Sequence, residues 1–106
     1  MKRTKRRYIA LQLDCEGVPS EREIMDVVWG SVSKLYGEVG ASLTGLALIN
    51  FDTERKVVVI RTSLASLLSV RSSLASVTNL AGGAASLHVL AVSGTLKALS
   101  ASLQSA

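Results

Sequence analysis

The chain has 106 residues, of which 48% are hydrophobic, and a formal net charge of +4. This length predicts one domain, 1–106, and the apolar content excludes a disordered chain. A lone cysteine, Cys15, cannot form an internal disulfide and favours a reducing, cytoplasmic location. The long uncharged stretch from Ser72 to Leu96 is too polar for a membrane span, so we expect no membrane association.

The positive charge is concentrated at the start of the chain. Five of the twelve basic residues lie before Tyr8. From Tyr8 onward the chain has seven basic and eight acidic residues, so its formal charge is −1. Residues 1–6 are therefore interpreted as a basic arm, which could bind a polyanion by releasing its counterions or could simply be a solvated terminus. Lys2, Arg3, Lys5 and Arg6 lie in this arm, and a fifth cation, Arg7, follows it directly.

The first predicted elements are a strand and a helix. Residues 7–14 alternate, with Ile9, Leu11 and Leu13 on one face and Tyr8 on the other, which is typical of a strand. The segment 20–23 (SERE) is a capping box, in which Ser20 and Glu23 bond each other's backbone N–H groups. Apolar residues then recur at helical spacing, which predicts a helix over 20–36 ending at Gly37.

Five further elements follow. Strands over 43–52 and 57–62, joined by the polar turn 52–56, predict a hairpin. Ser63 is a candidate cap for a helix over 64–78 that ends at Asn79. Residues 84–92 predict a strand with Leu87, Val89 and Ala91 on one face and His88, Leu90 and Val92 on the other. The segment 93–95 (SGT) opens a last helix with an apolar seam at Leu96, Leu99 and Leu103.

This order predicts an α+β fold: a ferredoxin-like or RNA-recognition-like βαββαβ sandwich with a short C-terminal helix. Right-handed crossovers place the first two helices on one face of an antiparallel sheet and make the first and third strands central. The other face carries Val57, Val59, Leu90 and Val92, so we expect the last helix or a partner to cover it.

No catalytic or metal-binding residue is predicted. His88 is the only histidine, and although a pair with Cys15 is possible in principle, a single histidine in an apolar strand is more often structural. Neither CxxC nor HExxH spacing occurs, and Gly82-Gly83 lacks the spacing and the lysine of a phosphate loop.

RNA contacts, if present, are predicted to be cationic. RNA-recognition motifs stack bases on aromatic residues of the first and third strands, but here those strands offer only Tyr8. The candidates beyond the arm are Arg61 and Lys97, which would hold phosphates of a structured RNA. Each has an alternative: Arg61 could form an ion pair on the sheet, and Lys97 could simply be solvated.

Four segments in order carry a family resemblance. They are KRRYIA at 5–10, the helix segment 23–30 with Trp29, the strand pair from Phe51-Asp52 to Ile60-Arg61, and VSGTLK at 92–97. Together they resemble the ribonuclease P protein component 2 family, the small archaeal and eukaryotic subunit that is also shared with the related mitochondrial-RNA-processing ribonuclease.

The resemblance implies an RNA-binding subunit of a ribonucleoprotein hydrolase in the cytoplasm. In that family the ribonuclease P RNA, with Mg²⁺ ions held in the RNA, removes the 5′ leader of precursor tRNA. The protein has no active site or cofactor of its own, and it pairs with ribonuclease P protein component 3. Relatives tend to continue with basic residues after SGTxK, whereas 98–106 are uncharged here, which shifts the expected RNA contacts toward the arm.

Two alternatives share this order of elements. An ACT-like module would bind a small ligand or dimerise, and RNA binding that falls steeply with salt would distinguish the subunit from it. An acylphosphatase-type enzyme needs an arginine in the loop after the first strand, and the loop 14–19 contains none.

Overall fold

A computed structural model of the chain describes residues 5–42, 45–80 and 83–105. A single 3-10 turn, Leu64–Ser66, precedes the second helix. The helices and strands, in chain order, are β1 (Arg6–Cys15), α1 (Glu21–Ser42), β2 (Ala47–Asp52), β3 (Val57–Ser63), α2 (Leu67–Ala75), β4 (Asn79–Leu80), β5 (Gly83–Ser93) and α3 (Leu96–Ser105).

The sheet has the order β2-β3-β1-β5-β4, and its neighbouring strands are antiparallel. The predicted sandwich is therefore confirmed, with the first and third strands flanked on both sides. The two-residue strand β4 was not predicted. It forms because Asn79 and Leu80 pair with Ala84 and Gly83, where the sequence had indicated only the end of a helix.

The main core lies between the sheet and the first two helices. The strand alternation predicted for β1 is confirmed, because Ile9, Leu11 and Leu13 all face this layer and are buried. Burying such side chains contributes about 1.5–3 kcal/mol each. The helix residues that complete this core are Ile24, Val28 and Val32 of α1 with Val70 and Leu74 of α2.

The last helix covers the opposite face of the sheet, one of the two covers that the sequence allowed. Leu99 of α3 is buried against Ala10 and Val59, with Leu103 packed at the margin. Ala10 lies directly across from Ala91 of β5. Two small side chains beneath Leu99 leave room for α3 to pack close to the strands.

A β-bulge in the β1–β5 pairing makes part of the predicted face assignment wrong. Ala10 pairs with Ala91 and Leu11 with Val89, so Leu90 is an extra residue. Beyond the bulge the two faces exchange. Ala91 packs toward α3 and Val92 toward the first two helices, the reverse of strict alternation. Leu90 itself is left 47% exposed.

The helix signals differ in their outcome. The capping box is present: the Glu23 N–H donates to Ser20 Oγ at 3.1 Å and the Ser20 N–H donates to Glu23 Oε1 at 3.0 Å. Gly37 interrupts α1 with φ at 76°, although the helix resumes and runs to Ser42. Ser63 makes no side-chain capping bond, so that prediction is wrong.

Helix α2 is shorter than the predicted 64–78. Its predicted first residues form the separate 3-10 turn Leu64–Ser66, and just beyond its end the Val77 N–H donates to the Leu74 carbonyl, which tightens the last turn. The Thr78 carbonyl already accepts a bond from the Ala85 N–H, so by that point the chain has joined the sheet. The second strand was predicted to start at residue 43. Positions 43–44 lie outside the described residues, and the strand observed there, β2, begins at Ala47.

Replacing Leu99 by Ala should lower the free energy of unfolding by about 2–4 kcal/mol, because Leu99 is 2% exposed and its removal leaves a cavity under α3. Leu68→Ala is the matched control: this leucine is 78% exposed, and its removal should cost less than about 0.5 kcal/mol. Urea denaturation of both variants measures the difference, and equal stabilities would contradict the packing described for α3.

Candidate nucleic-acid interface

The predicted cations that the structure describes meet at one end of the sheet. Because β1 is antiparallel to both neighbours, its N-terminal residues lie beside the C-terminal ends of β3 and β5, where α3 also begins. Tyr8 pairs with Arg61 on one side and Ser93 on the other. We call this surface the basic rim; its residues are Lys5, Arg6, Arg7, Tyr8, Arg61 and Lys97.

The first two residues of the rim, Lys5 and Arg6, have their backbone bonded to the end of β3 and to the residue that follows it. Strand pairing begins at Arg6, opposite Ser63, one residue earlier than predicted. The Leu64 N–H also donates to the Lys5 carbonyl at 2.8 Å. Lys5 and Arg6 are exposed but have an anchored backbone. The other two arm candidates, Lys2 and Arg3, lie outside the described residues.

Tyr8 and Arg61 are neighbours on the face that α3 covers. The Tyr8 side chain packs at the margin of the cluster around Leu99, so its ring is half-buried rather than free to stack on a base. Arg61 is also half-buried, and its Nε has no hydrogen-bond partner in the described part of the chain. A buried donor of this kind gains when an acceptor reaches it.

Arg7 occupies the point where β1 and β5 separate. The last paired residue of β5 is Ser93, opposite Tyr8, so Arg7 lies beside Gly94 as the chain turns into α3. Its Nη1 donates to the Arg6 carbonyl at 3.0 Å, and a Cβ at Gly94 would lie 3.2 Å from the same Nη1. The sequence pattern predicts Gly94 only as part of the opening of the last helix; the signal for a further role is a glycine that follows a strand and directly precedes a helix cap.

The first turn of α3 carries the remaining candidate. Thr95 caps the helix, because its Oγ1 accepts the Ala98 N–H at 3.1 Å and its carbonyl accepts the Leu99 N–H. Lys97 is exposed in this turn. The cap therefore fixes the position of the Lys97 backbone, while the ammonium group of its exposed side chain can contact solvent or a ligand.

The rim cations are not neutralised within the described ranges. No carboxylate there lies within 4.0 Å of any of them, and the ion-pair contact that does occur is between His88 and Asp14. The ion pair considered for Arg61 is thus absent from this part of the chain. Acidic residues collect instead at the other end of the sheet, at the end of β1, the start of α1 and the β2–β3 turn: Asp14, Glu16, Glu21, Glu23, Asp52 and Glu54.

His88 has polar neighbours, but their arrangement does not suit catalysis. Ser86 Oγ lies 3.1 Å and Asp14 Oδ2 4.0 Å from the same ring nitrogen, Nε2. A serine–histidine–aspartate relay instead requires the two partners on opposite ring nitrogens. All of this is exposed to solvent, since the His88 and Asp14 side chains are 60% and 77% accessible.

Cys15 and His88 lie on opposite faces of the sheet. His88 pairs with Gln12, whose side alternates with that of Cys15, and Cys15 packs against the main core. The two therefore cannot form a nucleophile pair without rebuilding the strands. Over the described positions, no group of three or more His, Cys, Asp or Glu is placed to hold a metal ion. No described helix is long and apolar enough to span a membrane.

The comparisons with known proteins agree with one another. Residues 7–104 match the model of the Rpp14/Pop5 family. Ribonuclease P protein component 2 of Pyrococcus furiosus is 33% identical over 92% of this chain and 81% of its own length. The Methanosarcina mazei protein of the same name is 37% identical over 90% and 80%. A chain in a cryo-EM structure of yeast ribonuclease MRP matches with a TM-score of 0.71 at 14% identity, covering 99% of this chain and 96% of its own.

The fold and the rim define an RNA-recognition-like α+β protein whose candidate contact surface is cationic rather than aromatic. Within that class, the match across 7–104 and the two component 2 relatives settle the assignment: the chain belongs to the Rpp14/Pop5 family. Membership supports a protein subunit of ribonuclease P, and the structural match to the yeast chain agrees at the level of the fold.

Replacing Lys5 and Arg6 together by Ala should weaken binding to a structured RNA and lower the salt slope of log K by about 1.4, since each phosphate that a cation neutralises contributes about 0.7. Arg22→Ala with Arg55→Ala is the control. It removes the same charge from the acidic end of the sheet and should leave the slope unchanged. Filter binding across a salt series measures both, and equal slopes for the two double variants would show that Lys5 and Arg6 do not contact RNA phosphates.

Proposed function

We propose that the chain is the component 2 subunit of a ribonuclease P and supports the catalytic RNA in removing the 5′ leader from precursor tRNA. The observation that carries this proposal is the coincidence of family membership with an unneutralised basic rim. The comparisons favour this function over the ACT-like module, because the curated relatives at 33% and 37% identity are ribonuclease P proteins.

The rim would hold RNA through its phosphates. Tyr8 is packed against α3, so the sheet does not offer the pair of free aromatic rings on which single-stranded bases stack. Cations on an anchored backbone suit a folded RNA, in which phosphates from separate strands come close together. By neutralising them, the protein would lower the repulsion that opposes compact folding of the RNA. Lys2 and Arg3, which precede these cations in the sequence, would add positive charge to the same contact.

Hydrolysis would be left to the RNA and its Mg²⁺ ions. The exposed Ser86–His88–Asp14 group has the wrong geometry for proton relay, and Cys15 faces the other side of the sheet. The chain's own contribution would then be binding and positioning. The reducing cytoplasm, which the lone cysteine favours, stays a prediction.

A protein partner is the second part of the proposal. Large apolar side chains on α1 and α2 remain exposed although the core is complete: Trp29, Leu35, Tyr36 and Leu68. Burying these side chains against another protein would remove apolar surface from water and so would favour a complex. We propose ribonuclease P protein component 3 as the occupant, with precursor tRNA reached through the assembled complex.

Co-expression with ribonuclease P protein component 3 should yield one complex in size exclusion at micromolar concentration, because the exposed helix residues would be buried in it. Trp29→Asp with Leu68→Asp should abolish co-elution, whereas Arg22→Asp on the same helix should not. Independent elution of the two wild-type proteins would contradict the partner while leaving RNA binding untouched.

In a reconstituted ribonuclease P, His88→Ala and Cys15→Ser should each leave the rate of precursor-tRNA cleavage nearly unchanged once protein stability is matched. A fall of about a thousandfold with normal folding, the scale expected for a catalytic group, would reveal an active site in the protein. Single-turnover cleavage at saturating protein makes the comparison independent of affinity.

A further inference from the structure

We propose that Gly94 is a positioning residue for Arg7: its missing side chain is what allows the Arg7 guanidinium to lie across the β5–α3 turn and present itself to an RNA phosphate. The ligand named here rests on the proposed function. The positioning itself is a property of the protein alone and can be tested without RNA.

The space at Gly94 is already occupied. A Cβ built on Gly94 would lie 3.2 Å from Arg7 Nη1 and 3.7 Å from Arg7 Cζ. Apart from the adjoining residues Ser93 and Thr95, the Arg7 guanidinium is the only described group within 4 Å of that position. The end of a flexible side chain can give way by the few tenths of an ångström that this contact requires, so the fold should survive while the Arg7 guanidinium shifts from its position.

Backbone conformation does not explain the glycine. Among the described glycines, those with positive φ are Gly17, Gly37 and Gly45, and Gly94 is not one of them. An L-residue can thus adopt the backbone of Gly94 without strain, so glycine brings only its flexibility cost. The contact with Arg7 supplies a reason for the glycine that its backbone does not.

The Arg7 guanidinium is held by packing and a hydrogen bond, and no ion pair with a described residue holds it in place. Its guanidinium donates to the Arg6 carbonyl, and no described carboxylate lies within 4.0 Å. The start of α3 beside it carries the positive end of the helix dipole, which favours anions over cations. A guanidinium held beside this end is therefore poised for a ligand with negative charge, as an RNA phosphate has.

The test uses four variants of the full chain: Arg7→Ala, Gly94→Ala, both together, and Gly30→Ala. Gly30 is the matched control, since a Cβ there would meet nothing within 4 Å. Affinity for an in vitro transcribed ribonuclease P RNA is measured across a salt series. Arg7→Ala should weaken binding about fivefold near 0.1 M salt and lower the slope by about 0.7, as for loss of one phosphate contact. Gly94→Ala should weaken binding in the same direction but by a smaller factor, because the shifted guanidinium keeps its charge.

The double variant decides whether Gly94 acts through Arg7. It should bind RNA no more weakly than Arg7→Ala alone, because the guanidinium that the methyl displaces is already gone. Additive losses of affinity, or wild-type affinity in Gly94→Ala, would overturn the proposal. If Gly94→Ala lowers the melting temperature, the double variant should recover it; an equal deficit in both would also overturn it.

The ¹⁵Nε resonance of Arg7, assigned by its disappearance in Arg7→Ala, gives a second readout on the free protein. It should shift in Gly94→Ala and stay in place in Gly30→Ala, and an unchanged position in Gly94→Ala would overturn the positioning role. Wild-type protein that fails to bind RNA would refute the proposed function and the phosphate ligand, while the resonance still decides the positioning.

Discussion

The register of β1 between β3 and β5 is the constraint on which the rest of the molecule depends. Paired on both sides, this strand commits Ile9, Leu11 and Leu13 to the main core and Ala10 to the layer beneath α3. The same pairing carries the chain's first cations to the end of the sheet. A shift of one residue would invert both cores at once, so packing on two faces enforces the placement of the charges.

Features of the fold that depend on local sequence could be predicted, whereas features that depend on pairing between strands could not. The alternation in β1 and the capping box at Ser20 depend on neighbours within a few residues, and both are present. The bulge at Leu90 is set by β1, a partner about 80 residues away, and the two residues of β4 form a strand only by pairing with Gly83 and Ala84, too short a segment to show an alternating pattern. The candidate cations could be named from sequence, but the seat of Arg7 against Gly94 could not, since it joins positions 87 residues apart.

Charge is divided between the two ends of one sheet. The end where β1 begins carries cations without carboxylate partners in the described chain, and the end where β1 finishes carries most of the acids. The near-neutral sum of the body therefore hides a dipolar molecule. Such a molecule approaches a polyanion in a preferred orientation, with its acidic end directed away.

The 14% identity to the yeast ribonuclease MRP chain shows that this fold tolerates extensive change in sequence.

The small size of the two alanines beneath α3 sets the distance between this helix and the sheet. Ala10 and Ala91 face each other under Leu99, and α3 is joined to β5 by the short turn that contains Gly94. A bulkier side chain at either alanine would raise the helix from the sheet and pull that turn with it. The size of a residue wholly shielded from solvent thus governs the geometry of charges on the surface, which couples evolution of the core to recognition at the rim.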